Sequence, residues 1–289
     1  MKRRPGWLAM QAADLLAVYL IPLIGALLPA RLCKSLLWRL AGLAWLLPDR
    51  TDWIDRAENA YLGSQGRLAR DWRWMHLMES AEFARLLLGL PARTTIEGEW
   101  PDRPGFMAIG MHLGAGITAL WHLNRLGLSP RLIFQPVKAE DLPGRPLLYW
   151  SHRLRLRLMR KLCPAGAIGT GGARQQILEA IQTRTSVPMI IADTPSPRPD
   201  APMIRIGQRQ LGLRRGVFSL IEESGSPVVF FTTTFCRHSG ATRLVIDPVD
   251  TKPGTSQRLL ERIEQSLRDT PGQWHLWPAL GQHFPDQTD

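Results

Sequence analysis

From residue 94 onward the chain is dominated by short apolar runs punctuated by glycine and proline; before that point helical spacing dominates. The runs "FMAIGM", "RLIFQPV", "VPMIIAD", "SPVVFFTTTF" and "TRLVIDPV" predict strands. Between and after them the spacing predicts helices at about Gly116 to Leu126, Pro146 to Leu162, Ala173 to Gln182, Gly216 to Ser224 and Thr255 to Arg268. Such alternation predicts an α/β fold with helices on both faces of a central sheet, and the close succession of the last two runs makes that sheet mixed. From Asp52 to Leu90 the pattern is helical with few breakers, a helical arm that closes at Pro91.

At the amino terminus, Leu15 to Leu28 is uninterrupted apolar sequence behind Lys2, Arg3 and Arg4. That run is shorter than the ~20 residues a membrane-spanning helix needs, although Trp7 to Met10 extend it past Gln11 and Asp14. No small-x-small cleavage site follows, so the segment reads as uncleaved, with its basic head kept on the cytoplasmic side. Pro22 and Pro29 are expected to break it. The next apolar stretch, Leu32 to Leu47, carries Trp38 and Trp45, and together the two fit a re-entrant or surface-lying helix pair; the alternative is two core helices of a soluble domain. The expected organisation is therefore a membrane anchor or interfacial helix over 1–30, a helical arm over 31–92 and an α/β domain over 93–289.

Hydrophobic residues at 45% and charged residues at 21% exclude a disordered chain and a polytopic membrane protein. The formal net charge of +11 should attract anions: nucleic acid, anionic lipid or an acidic carrier protein. No nucleic-acid recognition motif is present, so nucleic acid is not an expected partner. Cys33, Cys163 and Cys236 lie far apart and form neither a disulfide framework nor a zinc pattern.

Candidate chemistry begins with "GFMAIGMHLGAGI". His112 stands just beyond a strand end, where α/β sheets present their ligands, and Gly110, Gly114 and Gly116 would admit a substrate or a neighbouring backbone. On the residues alone His112 is either a catalytic base or a hydrogen-bonded structural histidine. Arg153, Arg157, Arg160 and Lys161 share one cationic helix face, a surface for phosphate or an acidic carrier or simply a solvated one. "GTGGARQQILEAI" and "LGLRRG", with Arg214 and Arg215, open helices that either bind anions or are plain helix starts. "DTPSPRPDAP" is a stiff loop after a strand, suited to a site wall. There is no G-x-S-x-G, no H-E-x-x-H and no histidine pair at metal spacing, so neither a metal nor a cofactor is expected.

The order of these features resembles the bacterial late acyltransferases of lipid A synthesis, within the lysophospholipid acyltransferase superfamily. The resemblance runs over nearly the whole chain: the basic, apolar start, "IEGEW", "MHLG", the helix with Arg155 and Arg157, "IIAD", "LRRGVFSLIEESGSPVVF", Arg237 and "TPGQWHLW". It implies transfer of an acyl group, without a cofactor, from an acyl carrier protein or acyl-CoA to an amphiphilic, lipid-like acceptor at the cytoplasmic face of the bacterial inner membrane. His112 is implied as the base, and Gly114, Arg155, Arg157, Arg215 and Arg237 as substrate-binding residues.

The family signature is H-x-x-x-x-D/E, in which the acid orients the histidine. Here Ala115 and Gly116 replace the usual Asn and Trp, Ile117 stands in the acid's place, and Gln135 stands where relatives have arginine. Three readings follow. Another carboxylate approaches His112, with Asp193 first because it ends a neighbouring core strand, and Glu97 or Glu99 next. The acceptor is an amine that needs less base assistance. Or catalysis has been lost and a membrane-associated binding or assembly protein remains.

Overall fold

In the computed structural model, which describes residues 6–46, 51–63, 66–134, 137–169, 172–249 and 254–283, the five apolar runs are all strands. The strands are β1 (Thr94–Glu97), β2 (Met107–Gly110), β3 (Pro130–Phe134), β4 (Ile168–Gly169), β5 (Val187–Ile191), β6 (Met203–Ile206), β7 (Arg209–Gly212), β8 (Val228–Phe235) and β9 (Thr242–Val249). Seven of them form one sheet in the order β1-β9-β8-β2-β5-β3-β4, and β6 and β7 pair as a separate hairpin. Every neighbouring pair in the large sheet is parallel except β8 with β9, so the sheet is mixed, as the close spacing of the last two runs predicts. β2 sits at the middle with all four residues buried. A side chain at Gly110 would place its Cβ 2.3 Å from the Phe231 ring, so only glycine lets the aromatic of β8 lie against β2.

The helices are α1 (Trp7–Asp14), α2 (Ile21–Leu27), α3 (Ala30–Leu40), α4 (Thr51–Tyr61), α5 (Leu68–Leu87), α6 (Ile117–Arg125), α7 (Pro146–Leu162), α8 (Ala173–Thr183), α9 (Gly216–Ser224), α10 (Thr255–Asp269) and α11 (Trp277–His283). Those after β1 pack around the sheet on both faces, alternating with the strands as expected. The hairpin β6–β7 is not foreshadowed by an apolar run. Only Ile204 and Ile206 alternate inward along β6, and Met203 and Arg205 fill the outward positions.

Pro22 does not break the first segment. α1 and α2 are joined by a π-helical stretch, Leu15–Leu20, into one helix from Trp7 to Leu27. Proline removes an N–H and crowds the carbonyl one turn back; the wider π turn just before it takes up both effects. Pro29 does act as expected: Leu28 is extended, with φ −78° and ψ 150°, as a residue before proline should be. The resulting 21-residue helix, of mean hydropathy 1.7, is long and apolar enough to cross a membrane.

One face of that helix presents small residues, Ala13, Ala17, Gly25 and Ala26, to the body. A Cβ on Gly25 would come within 3.0 Å of the Ala81 Cβ on α5. Trp7, Leu8, Leu20, Leu23, Ile24 and Leu27 stay exposed on the rest of it. Polar contacts fasten the helix. Buried Asp14 pairs with Arg145, whose Nε donates over 3.0 Å, Tyr19 donates to the Leu147 carbonyl at 2.7 Å, and Arg85 donates to the Ala26 carbonyl at 2.8 Å. The stretches expected as anchor, arm and α/β domain share one continuous core that runs from Ala17 to Leu280. α5 is its spine: Trp72, Trp74, Met75, Leu77 and Met78 are all buried.

Candidate active site

Strand register builds the centre of the site. β2 and β5 are parallel neighbours with Gly110 opposite Ile191, and Ala192 extends the ladder by donating to the Gly110 carbonyl at 3.0 Å. Two residues beyond each strand end stand His112 and Asp193. His112 Nδ1 lies 2.8 Å from Asp193 Oδ1, and the His112 backbone N–H donates to Asp193 Oδ2 at 2.8 Å. A carboxylate accepts, so Nδ1 carries the proton and Nε2 is left with a lone pair. The His112 side chain is 41% exposed while Asp193 is fully buried. Burial disfavours the imidazolium, but the charge and hydrogen bond of Asp193, with Glu79 beyond, outweigh it and raise the His112 pKa above its ordinary value.

The segment read as "TPGQWHLW" closes the site from the other side. Trp274 Nε1 donates to Asp193 Oδ2 at 2.6 Å, Leu113 and Trp274 form an antiparallel bridge, and the His275 N–H donates to the His112 carbonyl at 2.9 Å. Gln273 uses its amide to cap the end of β8, accepting from Phe235 N–H at 2.6 Å and donating to its carbonyl at 3.0 Å. The histidine loop is thus clamped on both sides.

Gly114 lies on the wall of the cavity, and its glycine requirement comes from the fold. Its φ is +52°, and a Cβ would sit 2.2 Å from the Thr233 carbonyl oxygen. Gly114→Ala is expected to destabilise the protein by about 3 kcal/mol, combining left-handed strain with overpacking. A thermal melt reads this, and an unchanged Tm would show that the loop has room to give.

A second polar group faces His112 from α5. Glu79 accepts from Arg155 Nη1 at 3.3 Å, while Arg155 Nη2 donates to Ser80 Oγ at 3.0 Å. Burial would raise the Glu79 carboxyl; Arg155, with His275 and His112, holds it below its usual range instead. His275 Nε2 donates to the Gly114 carbonyl at 2.7 Å, and burial lowers the His275 pKa. His76, Glu79 and His275 bring possible ligand atoms within 4.8 Å of one another. The same Glu79 oxygen that faces both imidazoles already meets the Arg155 guanidinium, so a metal cation there would sit against a fixed positive charge.

His112, Glu79, Arg155 and His275 line a cavity of about 970 Å³, within the size range of small-molecule sites. Much of the rest is aliphatic, with Leu120, Leu132, Ile133, Met159, Met189 and Ile190 among its walls. Pro195 and Pro197 form part of its rim, so the proline-rich loop is a wall as expected. Ile117 lines the cavity at the start of α6, 6% exposed. If His112 and Asp193 are a base and its orienter, Ile117→Glu, which puts an acid where the lipid A acyltransferases carry theirs, brings no gain in turnover. Nδ1 has one proton and already gives it to Asp193. A rise in kcat would assign the orienting role elsewhere.

Of the other residues expected to bind substrate, Arg155 reaches the cavity but is engaged by Glu79. Arg157 is exposed on the opposite side of α7, together with Arg153, Arg160 and Lys161, and none of these four lines the cavity. Arg237 pairs with Asp71 at 2.5 Å and lies over Trp38, away from the cavity. Arg215 lies in an adjoining hollow beside Arg214. Glu97 pairs with Arg243 on the edge of the sheet, and Glu99 is exposed; neither approaches His112. Gln135, and Thr170 and Gly171 of the glycine-rich turn, lie outside the described residues. Sequence reasoning missed Glu79, Trp274 and His275 as individual contributors. The quoted "TPGQWHLW" was the available signal for the last two, and Glu79 had none within its helix. No protein-family model matches the chain, and neither does any curated protein.

Proposed function

We propose that the protein is a membrane-associated acyltransferase that moves an acyl group from a carrier-protein or coenzyme A thioester to an amphiphilic acceptor, at the cytoplasmic face of a bacterial inner membrane. The observation that carries this reading is the His112–Asp193 pair opening onto an aliphatic cavity. The resemblance to the lipid A acyltransferases supports it. So does the helix Trp7–Leu27, long and apolar enough to cross a membrane.

In this reading His112 Nε2 takes the proton of the acceptor hydroxyl as its oxygen attacks the thioester carbonyl carbon. The tetrahedral oxyanion is stabilised by backbone N–H groups, for which those of Gly116 and Ile117 at the start of α6 stand at the cavity wall, while those of Thr118 and Ala119 are already given to the Ala115 and Gly116 carbonyls. The carbon–sulfur bond then breaks, and the imidazolium returns the proton to the departing thiolate. An amine acceptor, nucleophilic once neutral, has less need of an oriented base, so the pair favours a hydroxyl. The rival reading, a non-catalytic binding or assembly protein, draws on Ile117 in place of the acid and on Gln135 in place of arginine; Asp193 beside His112 supports the catalytic reading on the first point.

The test uses the full chain in detergent micelles, offered acyl-CoA or acyl-carrier thioesters with lipid-like alcohols. Release of free thiol should depend on the acceptor, acylated product should be seen by mass spectrometry, and both should be lost in His112→Gln. Undiminished transfer by that variant would sink the reading.

A further inference from the structure

Beside the main cavity lies a second hollow of about 470 Å³, and the two share Pro195, Pro197, Arg214 and Gly216 as walls. Three arginines line it, Arg198, Arg214 and Arg215, against one acid, Asp200. Arg215 Nη1 is 3.6 Å from Asp200 Oδ2, and both side chains are well exposed, so this is a loose pair. Arg198 and Arg214 make no ion pair among the described residues.

The hollow is built rather than incidental. Its wall is the proline-rich loop that starts one residue after Asp193. Arg214 N–H is pinned to the Thr194 carbonyl at 2.9 Å, Ser196 N–H to the Gly212 carbonyl at 2.8 Å, and Leu213 N–H to the Pro202 carbonyl at 2.8 Å. One stiff loop therefore joins the carboxylate that orients His112 to a cluster of arginines. In the main cavity the other arginine, Arg155, is engaged by Glu79 and Ser80, so spare cationic hydrogen-bonding capacity lies on the Arg214 side.

Resting on the acyl-transfer reading, we infer that the hollow formed by Arg198, Arg214 and Arg215 holds the phosphate of the donor's pantetheine arm, while the thioester end of the same arm lies at His112. Arginine suits this task because its planar fork pairs with phosphate oxygens two at a time. Phosphopantetheine on a carrier protein and coenzyme A both carry such a phosphate, and both place it away from the sulfur. The main cavity then holds the acyl chain.

The test has a binding arm and a turnover arm, using the full chain in micelles. Pantetheine 4′-phosphate is titrated calorimetrically into wild type and into the double variant Arg198→Gln/Arg215→Gln, with unphosphorylated pantetheine as the control. Loss of two charged contacts should weaken phosphate-bearing ligand by about tenfold or more and leave the wild-type and variant affinities for pantetheine alike. Equal affinity of both proteins for pantetheine 4′-phosphate would overturn the inference, whether or not the protein turns over.

In the turnover arm, the ratio of kcat/KM for a phosphorylated donor to that for an S-acyl-N-acetylcysteamine should fall by a similar factor. A fall with both coenzyme A and carrier-protein donors supports the shared phosphate, and a fall with the carrier alone supports it with the carrier as source. A rise in acceptor KM with an unchanged donor ratio would overturn it. Absence of turnover with every thioester would count against the acyl-transfer reading, while the calorimetric arm still decides the phosphate site.

Discussion

Asp193→Asn is expected to lower kcat for acyl transfer by roughly 10⁴-fold, the loss seen when the orienting aspartate of a serine-protease triad is disabled, which corresponds to ~5 kcal/mol of transition-state stabilisation. The local hydrogen bonds force the result. Oδ2 accepts from two N–H groups, the His112 backbone and Trp274 Nε1, so an asparagine must turn its oxygen to that side. Its NH2 group then faces His112 Nδ1, where Oδ1 stood. Nδ1 must accept, the proton moves to Nε2, and the lone pair that removes the acceptor's proton is gone.

The same substitution should shift the pH dependence of the residual rate. In the wild type Asp193 and Glu79 raise the His112 pKa against the effect of burial, while burial lowers that of His275 on the neighbouring segment. Only neutral imidazole acts as a base, so activity should rise with pH through that raised value. Without the Asp193 charge the acid limb should move to lower pH. A variant within about tenfold of wild type, with its limb unmoved, would mean that Asp193 does not orient His112.

His112→Gln is expected to reach a comparable floor, within the 10²- to 10⁴-fold span of a lost general base. Combined with Asp193→Asn it should fall no further, because an orienter has nothing to act on once its base is removed. Losses that multiplied in the double variant would give Asp193 a separate role, such as shaping the loop. Thermal melts of the three proteins separate that outcome from unfolding.

Much of the sheet was legible because its central strands are buried on both faces and so appear as unbroken apolar runs, as in "FMAIG" and "VPMII". The hairpin β6–β7 was not, since each strand has four residues and only Ile204, Ile206 and Leu211 are buried aliphatics in it. Pro22 misled because local rules assume an α-helical turn before proline, and here that turn is a π turn.

Asp193 was legible as a strand-end residue. Its meeting with His112 depends on β5 lying next to β2 in one register, and the sequence does not encode that adjacency locally. Arg155 and Arg157 looked like partners, yet residues two apart on a helix point roughly 200° apart. Glu79 was hidden because an acid in a long amphipathic helix has no local feature that distinguishes an inward from an outward position.

The bridge between Leu113 and Trp274 has a consequence for the order of events during synthesis. A growing chain makes β2, His112 and the start of α6 early, and adds Asp193 some 80 residues later; the brace across the histidine loop arrives only with residues 271–277. Until those emerge from the ribosome, the loop lacks Trp274 on the carboxylate and His275 on its carbonyl. Contacts so distant in sequence form late and slowly. A nascent chain would therefore carry His112 and Asp193 for some 80 residues of further synthesis before the brace that fixes their loop is added.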